Sequence, residues 1–115
     1  LANNAAYCLN ELRRYSEAER YCRRAIEINS ELHYAYKNLG ISLRGQGNLI
    51  GAAWAWVDAT KANPVDPKAF MFLQELVKEH PDLLARCDWV VEEFAKRRMD
   101  PAEGPYSGDW NEKRR

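Results

Sequence analysis

The sequence predicts an all-α chain built from antiparallel helix pairs, and three observations lead there. Apolar residues recur at helical spacing through most of the 115 residues, and no useful length alternates with the period of two that a half-buried strand needs. Caps, glycine-containing turns and prolines cut the chain into pieces of helix length. The pattern also repeats. A shift of 34 residues places Asn4 on Asn38, Leu9 on Leu43, Ala18 on Ala52, Cys22 on Trp56, Ala25 on Ala59 and Asn29 on Asn63. A further step brings Tyr36 onto Phe70, Leu39 onto Leu73 and Leu43 onto Val77.

Taken in order, residues 1–13 read as a helix with no capping signal ahead of it. Ser16-Glu17-Ala18-Glu19 has the form of a capping box and predicts a helix from there to about Asn29, with Ala18, Cys22, Ala25 and Ile26 on one face. Residues 32–45 form the third helix. Gly45-Gln46-Gly47-Asn48 is a turn, and Asn48 caps a fourth helix over 49–62 that Asn63-Pro64 ends. Asp66-Pro67 supplies a cap with proline in the first turn and opens a fifth helix to about Glu79; His80-Pro81 opens the last, to about Arg98. Leu83, Leu84, Cys87, Val90, Val91 and Phe94 give that last helix an apolar stripe, while Arg86, Asp88, Glu92, Glu93 and Lys96 face away. Residues 99–115, with prolines, glycines and few aliphatics, read as a flexible tail. Tyr106 and Trp110 are costly to leave in water, so docking of this tail on the protein or on a partner is the alternative.

Gly40 stands inside a helix, where glycine costs about 1 kcal/mol relative to alanine. Such a residue fits a point where another helix comes very close. Tyr36-x-x-Leu39-Gly40-x-x-Leu43, followed by Ala52-x-x-x-Trp56, Ala59 and Pro64, resembles the tetratricopeptide (TPR) consensus, whose period is 34 residues. The resemblance implies a short right-handed superhelical array, in which Gly40 and Ala52 are the small residues where the helices of one pair touch and Trp56 fills the space toward the next pair. It implies three units: residues 1–32, 33–66 and 67–98, the third a degenerate pair that caps the stack. The departures are specific. Ala6 stands in the glycine slot and Ser30 in the proline slot of the first unit, and Gln74 and Arg86 occupy the glycine and first alanine slots of the third.

In such an array the first helix of each pair lines a concave groove. Helical spacing from the core positions then assigns Tyr34, Lys37, Asn38, Ile41 and Arg44 to the groove, with Asn3, Asn4, Tyr7 and Asn10 before them. Lys68, Met71, Phe72, Glu75 and Lys78 follow on the third unit. Amides can pair with both donors and acceptors of a peptide backbone, and tyrosine and phenylalanine offer rigid contact area at low entropic cost. The resemblance therefore implies a scaffold that holds a segment of a partner protein. One TPR subclass grips the terminal carboxylates of chaperone tails with lysine, arginine and asparagine. Of the matching positions Asn3, Tyr7, Asn38, Lys68 and Phe72, only Asn38 and Lys68 keep that chemistry, so such a tail is expected to bind poorly.

Composition sets further bounds. Seventeen Lys and Arg balance seventeen Asp and Glu, which leaves no bulk basic field for nucleic acid or anionic membrane. No apolar run approaches the roughly 18 residues of a membrane helix, so no membrane insertion is expected. Cys8, Cys22 and Cys87 are widely spaced and form no CxxC or Cys/His ligand group. They read as small core residues of a reducing compartment, with the cytoplasm as default. No nucleophile–base pair, metal-ligand set or phosphate-cradling loop is present, so neither an enzymatic activity nor a cofactor is expected. Trp54, between Ala53 and Ala55, points away from Trp56 toward the back of the array. It marks the alternative function, self-association through that back or through the N-terminal face.

Overall fold

Short connections decide how the helices meet. The structure, a computed structural model, describes residues 2–87 together with Trp89 and Glu92, and of residues 2, 3 and 84 the backbone alone. Its helices are α1 (Ala2–Glu11), α2 (Tyr15–Ile28), α3 (His33–Gly45), α4 (Leu49–Ala62), α5 (Lys68–Glu79) and α6 (Asp82–Arg86). No strand occurs among the described residues. Helices α2 and α4 begin at residues 15 and 49, an offset equal to the sequence register.

Between α1 and α2 the chain reverses within Leu12–Arg14. Arg13 takes a left-handed φ of 60°, and the Arg13 and Arg14 amides donate to the carbonyls of Asn10 and Leu9 at 3.0 and 2.8 Å. Those bonds satisfy carbonyls that the end of α1 leaves open. Between α3 and α4, Gly47 carries a φ of 83° that glycine adopts without strain, and Asn48 caps α4 by accepting from the Gly51 amide at 2.9 Å. Asn29 and Asn63 play the same part after α2 and α4: each side-chain oxygen accepts an amide two residues on, from Glu31 and Val65. Asp66 accepts from the Lys68 amide at 3.0 Å and so helps to start α5.

Each helix packs on its neighbours in sequence, and α1 also meets α3. Helix α4 is apolar on nearly every side because α3 covers one flank and α5 another; Ala52, Ala53, Ala55, Trp56, Val57 and Ala59 are all buried. Its alanines let the neighbouring backbones approach, and Trp56 fills the middle. The Trp56 Nε1–H donates to the Lys37 carbonyl of α3 at 3.1 Å, and the ring sits 5.5 Å from that of Phe72 on α5. Leu39, Leu43, Phe70, Leu73, Leu76, Val77 and Leu83 complete the core.

Several expectations change. Ser16 does not cap α2: Arg14 precedes the helix without a side-chain cap, and Glu19, the acidic member of the expected box, accepts from Arg23 and Gln46 instead. The tight reversal at Arg13 puts Tyr15 and Ser16 already inside the first turn. Trp56 does not only fill space toward the following helices. Its indole lies directly on Gly40, so the close approach that Gly40 permits is that of a ring from the same pair. The last helix does not run unbroken from residue 82. Cys87 leaves helical geometry (φ −135°, ψ 84°) with its thiol buried, and Trp89 beyond it stacks on Trp54 at 3.9 Å. Cys8 is exposed, whereas Cys22 and Cys87 are buried as expected. Val90, Val91, Phe94, the basic run at Lys96 and the tail with Tyr106 and Trp110 lie outside the described residues.

Candidate functional site

Helices α1, α3 and α5 each turn one stretch of residues toward a common cavity of about 330 Å³. Asn4 and Tyr7 enter from α1; Tyr34, Lys37, Asn38 and Ile41 from α3; Lys68 and Phe72 from α5. The spacing follows from the helix period: Tyr34, Lys37, Asn38 and Ile41 fall at intervals of three and four, and so do Asn4 with Tyr7 and Lys68 with Phe72. Tyr7 and Tyr34 stand as walls, 57% and 53% exposed, while Ile41 and Phe72 are half-buried and form an apolar floor. Phe72 is held from beneath by Trp56.

The polar groups of the cavity are not equivalent. Lys37 forms an ion pair with Asp66, and its ammonium lies 5.0 Å over the Tyr34 ring. Its charge is therefore matched. The hydrogen bond from Lys37, and after it the one from the Lys68 amide, hold the Asp66 carboxyl below the ordinary aspartate range despite partial desolvation. His33 joins this group, with Nε2 3.4 Å from Asp66 Oδ2 and 3.4 Å from Asn63 Nδ2, and its ring lies 3.9 Å from that of Tyr34. These contacts tie the start of α3 to the α4–α5 connection and fix one wall of the cavity. The Lys68 ammonium has no ion-pair partner among the described residues.

Most of the sequence-predicted groove residues converge here: Tyr7, Tyr34, Lys37, Asn38, Ile41, Lys68 and Phe72, with Asn4. Others do not. The Arg44 guanidinium lies 5.4 Å over the Trp56 ring, and Met71 is half-buried outside the cavity. Glu75 and Lys78 are exposed elsewhere on α5. The Asn3 side chain lies outside the described residues. Asn10 is corrected from groove to core. It is buried, donates from Nδ2 to the Asn38 carbonyl at 3.0 Å, and accepts from Ser42 Oγ at 2.9 Å. A buried amide paired at both ends locks α1 onto α3. Asp66, His33 and Asn63 were missed as groove supports, because a loop carboxylate and a lysine 29 residues apart carry no local signal of their pairing.

Such a cavity suits one or two side chains of a peptide, being at the small end of the roughly 300–1,000 Å³ that binding pockets span. An apolar group can rest on Ile41 and Phe72 between the two tyrosines, with amide and hydroxyl groups at the rim. No protein-family model matches the chain, and no curated protein matches it in sequence. Among the described residues no helix is long and apolar enough to cross a membrane.

Proposed function

We propose that this chain is a TPR-like interaction module that holds a segment of a partner protein against α1, α3 and α5. On this reading the helix pairs 1–32, 33–66 and 67–98 form a short right-handed array, and the tyrosine-walled cavity is the middle of its concave face. The observation that carries the reading is the alternation: the cavity takes its lining from every other helix, and α2 and α4 contribute none of it. The module binds rather than catalyses and uses no cofactor. Reading Lys68 as the cavity's remaining cation, with Lys37 committed to Asp66, the module lacks the fork of donors that a terminal carboxylate pair needs.

A quantitative pull-down from source-cell lysate tests this, comparing the native chain with Tyr7→Glu/Tyr34→Glu. Both rings are exposed, so the variant keeps its core, as circular dichroism would verify. A protein enriched on the native chain and lost from the variant supports groove binding; equal enrichment on both rejects it. The second reading, self-association, draws on Leu12 and Trp54, apolar side chains exposed in the α1–α2 connection and on α4. Concentration-dependent mass in light scattering would favour it, and a monomer at high concentration would count against it.

A further inference from the structure

We propose that the outward face of α2 is a second docking surface, whose occupant is an acidic segment of a partner protein gripped by Arg20 and Arg24 around Tyr21. The inward face of α2 buries Ala18, Cys22 and Ala25, and the outward face is rich in arginine. Two of the guanidinium groups are already spent. Arg14 donates two hydrogen bonds to the Glu17 carboxylate, at 2.9 and 2.7 Å. Arg23 donates to one oxygen of Glu19 at 2.8 Å, while the other accepts from Gln46. Arg20 and Arg24 make no hydrogen bond or ion pair among the described residues.

Those two residues lie one turn apart on the same face, about 5–6 Å between β-carbons. With Tyr21, 45% exposed, they line a surface hollow of about 300 Å³. Glu17 forms its remaining wall, and the field of Arg20 acts on a carboxylate that Arg14 already holds. Glu27 is exposed one turn on and bonds to neither arginine. Arg14, Arg20 and Arg24 against Glu17 and Glu27 still leave an excess of one positive charge around an aromatic ring. Two planar forks beside a ring match carboxylate side chains, which accept paired N–H bonds, and Ile28 continues the stripe as an apolar contact. Two free guanidinium groups in a charge-balanced chain are too few for a nucleic-acid track or a membrane surface. No residue of this hollow lines the tyrosine-walled cavity, so both surfaces can be occupied at once.

The test is an NMR titration at low salt with the synthetic peptide acetyl-Glu-Asp-Leu-Glu-Glu-Leu-amide, following backbone amides and arginine Nε–Hε signals. Saturable shifts are expected at Arg20, Arg24 and Tyr21. Arg20→Gln/Arg24→Gln weakens binding about tenfold or more, and Arg20→Lys/Arg24→Lys also weakens it because the fork is lost at equal charge. Arg14→Gln has the smaller effect. No saturable shift, shifts spread over all arginines, or equal affinity of the lysine variant would overturn the proposal. So would preferential binding of phosphatidylserine vesicles or duplex DNA over the peptide.

Discussion

Replacing Gly40 with alanine opposes helix propensity to packing at a single atom. Propensity alone makes the alanine variant more stable by about 1 kcal/mol. A β-carbon at Gly40, however, would fall inside the van der Waals surface of the Trp56 indole, with Nε1, Cε2 and Cδ1 the nearest atoms. The ring is fully buried and has Phe72 beside it, so it cannot swing out of the way as a flexible chain end could. Overpacking of this kind costs about 1–3 kcal/mol. Displacing the ring also breaks the Nε1–H bond to the Lys37 carbonyl, and a buried donor left unpaired costs about 1–3 kcal/mol more. After the propensity gain the net destabilisation is about 3 kcal/mol, equivalent to a fall in Tm of about 10–20 °C for a chain of this size. Urea unfolding followed by tryptophan fluorescence and far-UV circular dichroism measures it. In a Trp56→Leu background the cost of Gly40→Ala should largely vanish, giving a coupling of about 2 kcal/mol or more. A Gly40→Ala protein as stable as the native one, or a cost unchanged by Trp56→Leu, refutes the reasoning.

Asn10→Ala removes one hydrogen bond from the Asn38 carbonyl and one from Ser42 Oγ, which keep their bond to each other at 3.0 Å, and is expected to cost about 1–2 kcal/mol in denaturant unfolding; a change near zero would show that the α1–α3 lock is unimportant. Asp66 has a folded-state pKa below its unfolded value, so its contribution is full above the ordinary aspartate range near pH 4 and is lost as the pH falls through the lower folded value. Asp66→Asn should therefore lower stability at pH 7 by about 1–3 kcal/mol and flatten the acid limb of the stability–pH curve. A parallel offset at every pH would contradict that. Burial pushes the Cys22 thiol up to about 11, and Cys87 is buried as well, whereas Cys8 is exposed. A thiol-reactive dye at pH 8 should modify one cysteine quickly and the other two only in denaturant, and mass spectrometry should place the fast label on Cys8.

The sequence is most legible where chemistry is local. The boundaries of α4 are as read, because Asn48 and Asn63 act through backbone groups two or three residues away. Asp66 was likewise visible as the start signal for α5. Ser16 misled because a capping box is necessary geometry only when the residues before it are extended, and the left-handed Arg13 reverses the chain too soon for that. At the cavity, helical spacing brings eight of the predicted positions together. It could not separate Asn38, which is buried yet lines the cavity, from Asn10, which is buried away from it on α1. That distinction depends on which carbonyl lies opposite, a property of the packed pair. Nor could spacing reveal that Lys37 is committed to Asp66 or that Trp54 is half covered by Trp89. Both are contacts between residues far apart in the chain, and neither leaves a periodic trace.

On the proposed function, a partner segment sits between Tyr7, Tyr34 and Phe72. This placement is tested most directly by photo-cross-linking in source-cell extract, with benzoylphenylalanine placed at Tyr34 in one preparation and at Trp54 in another, followed by peptide mapping of the adducts. One discrete partner adduct is expected from position 34, abolished by Tyr7→Glu, and none of the same adduct from position 54. The same partner captured from position 54 and not from position 34 would contradict it.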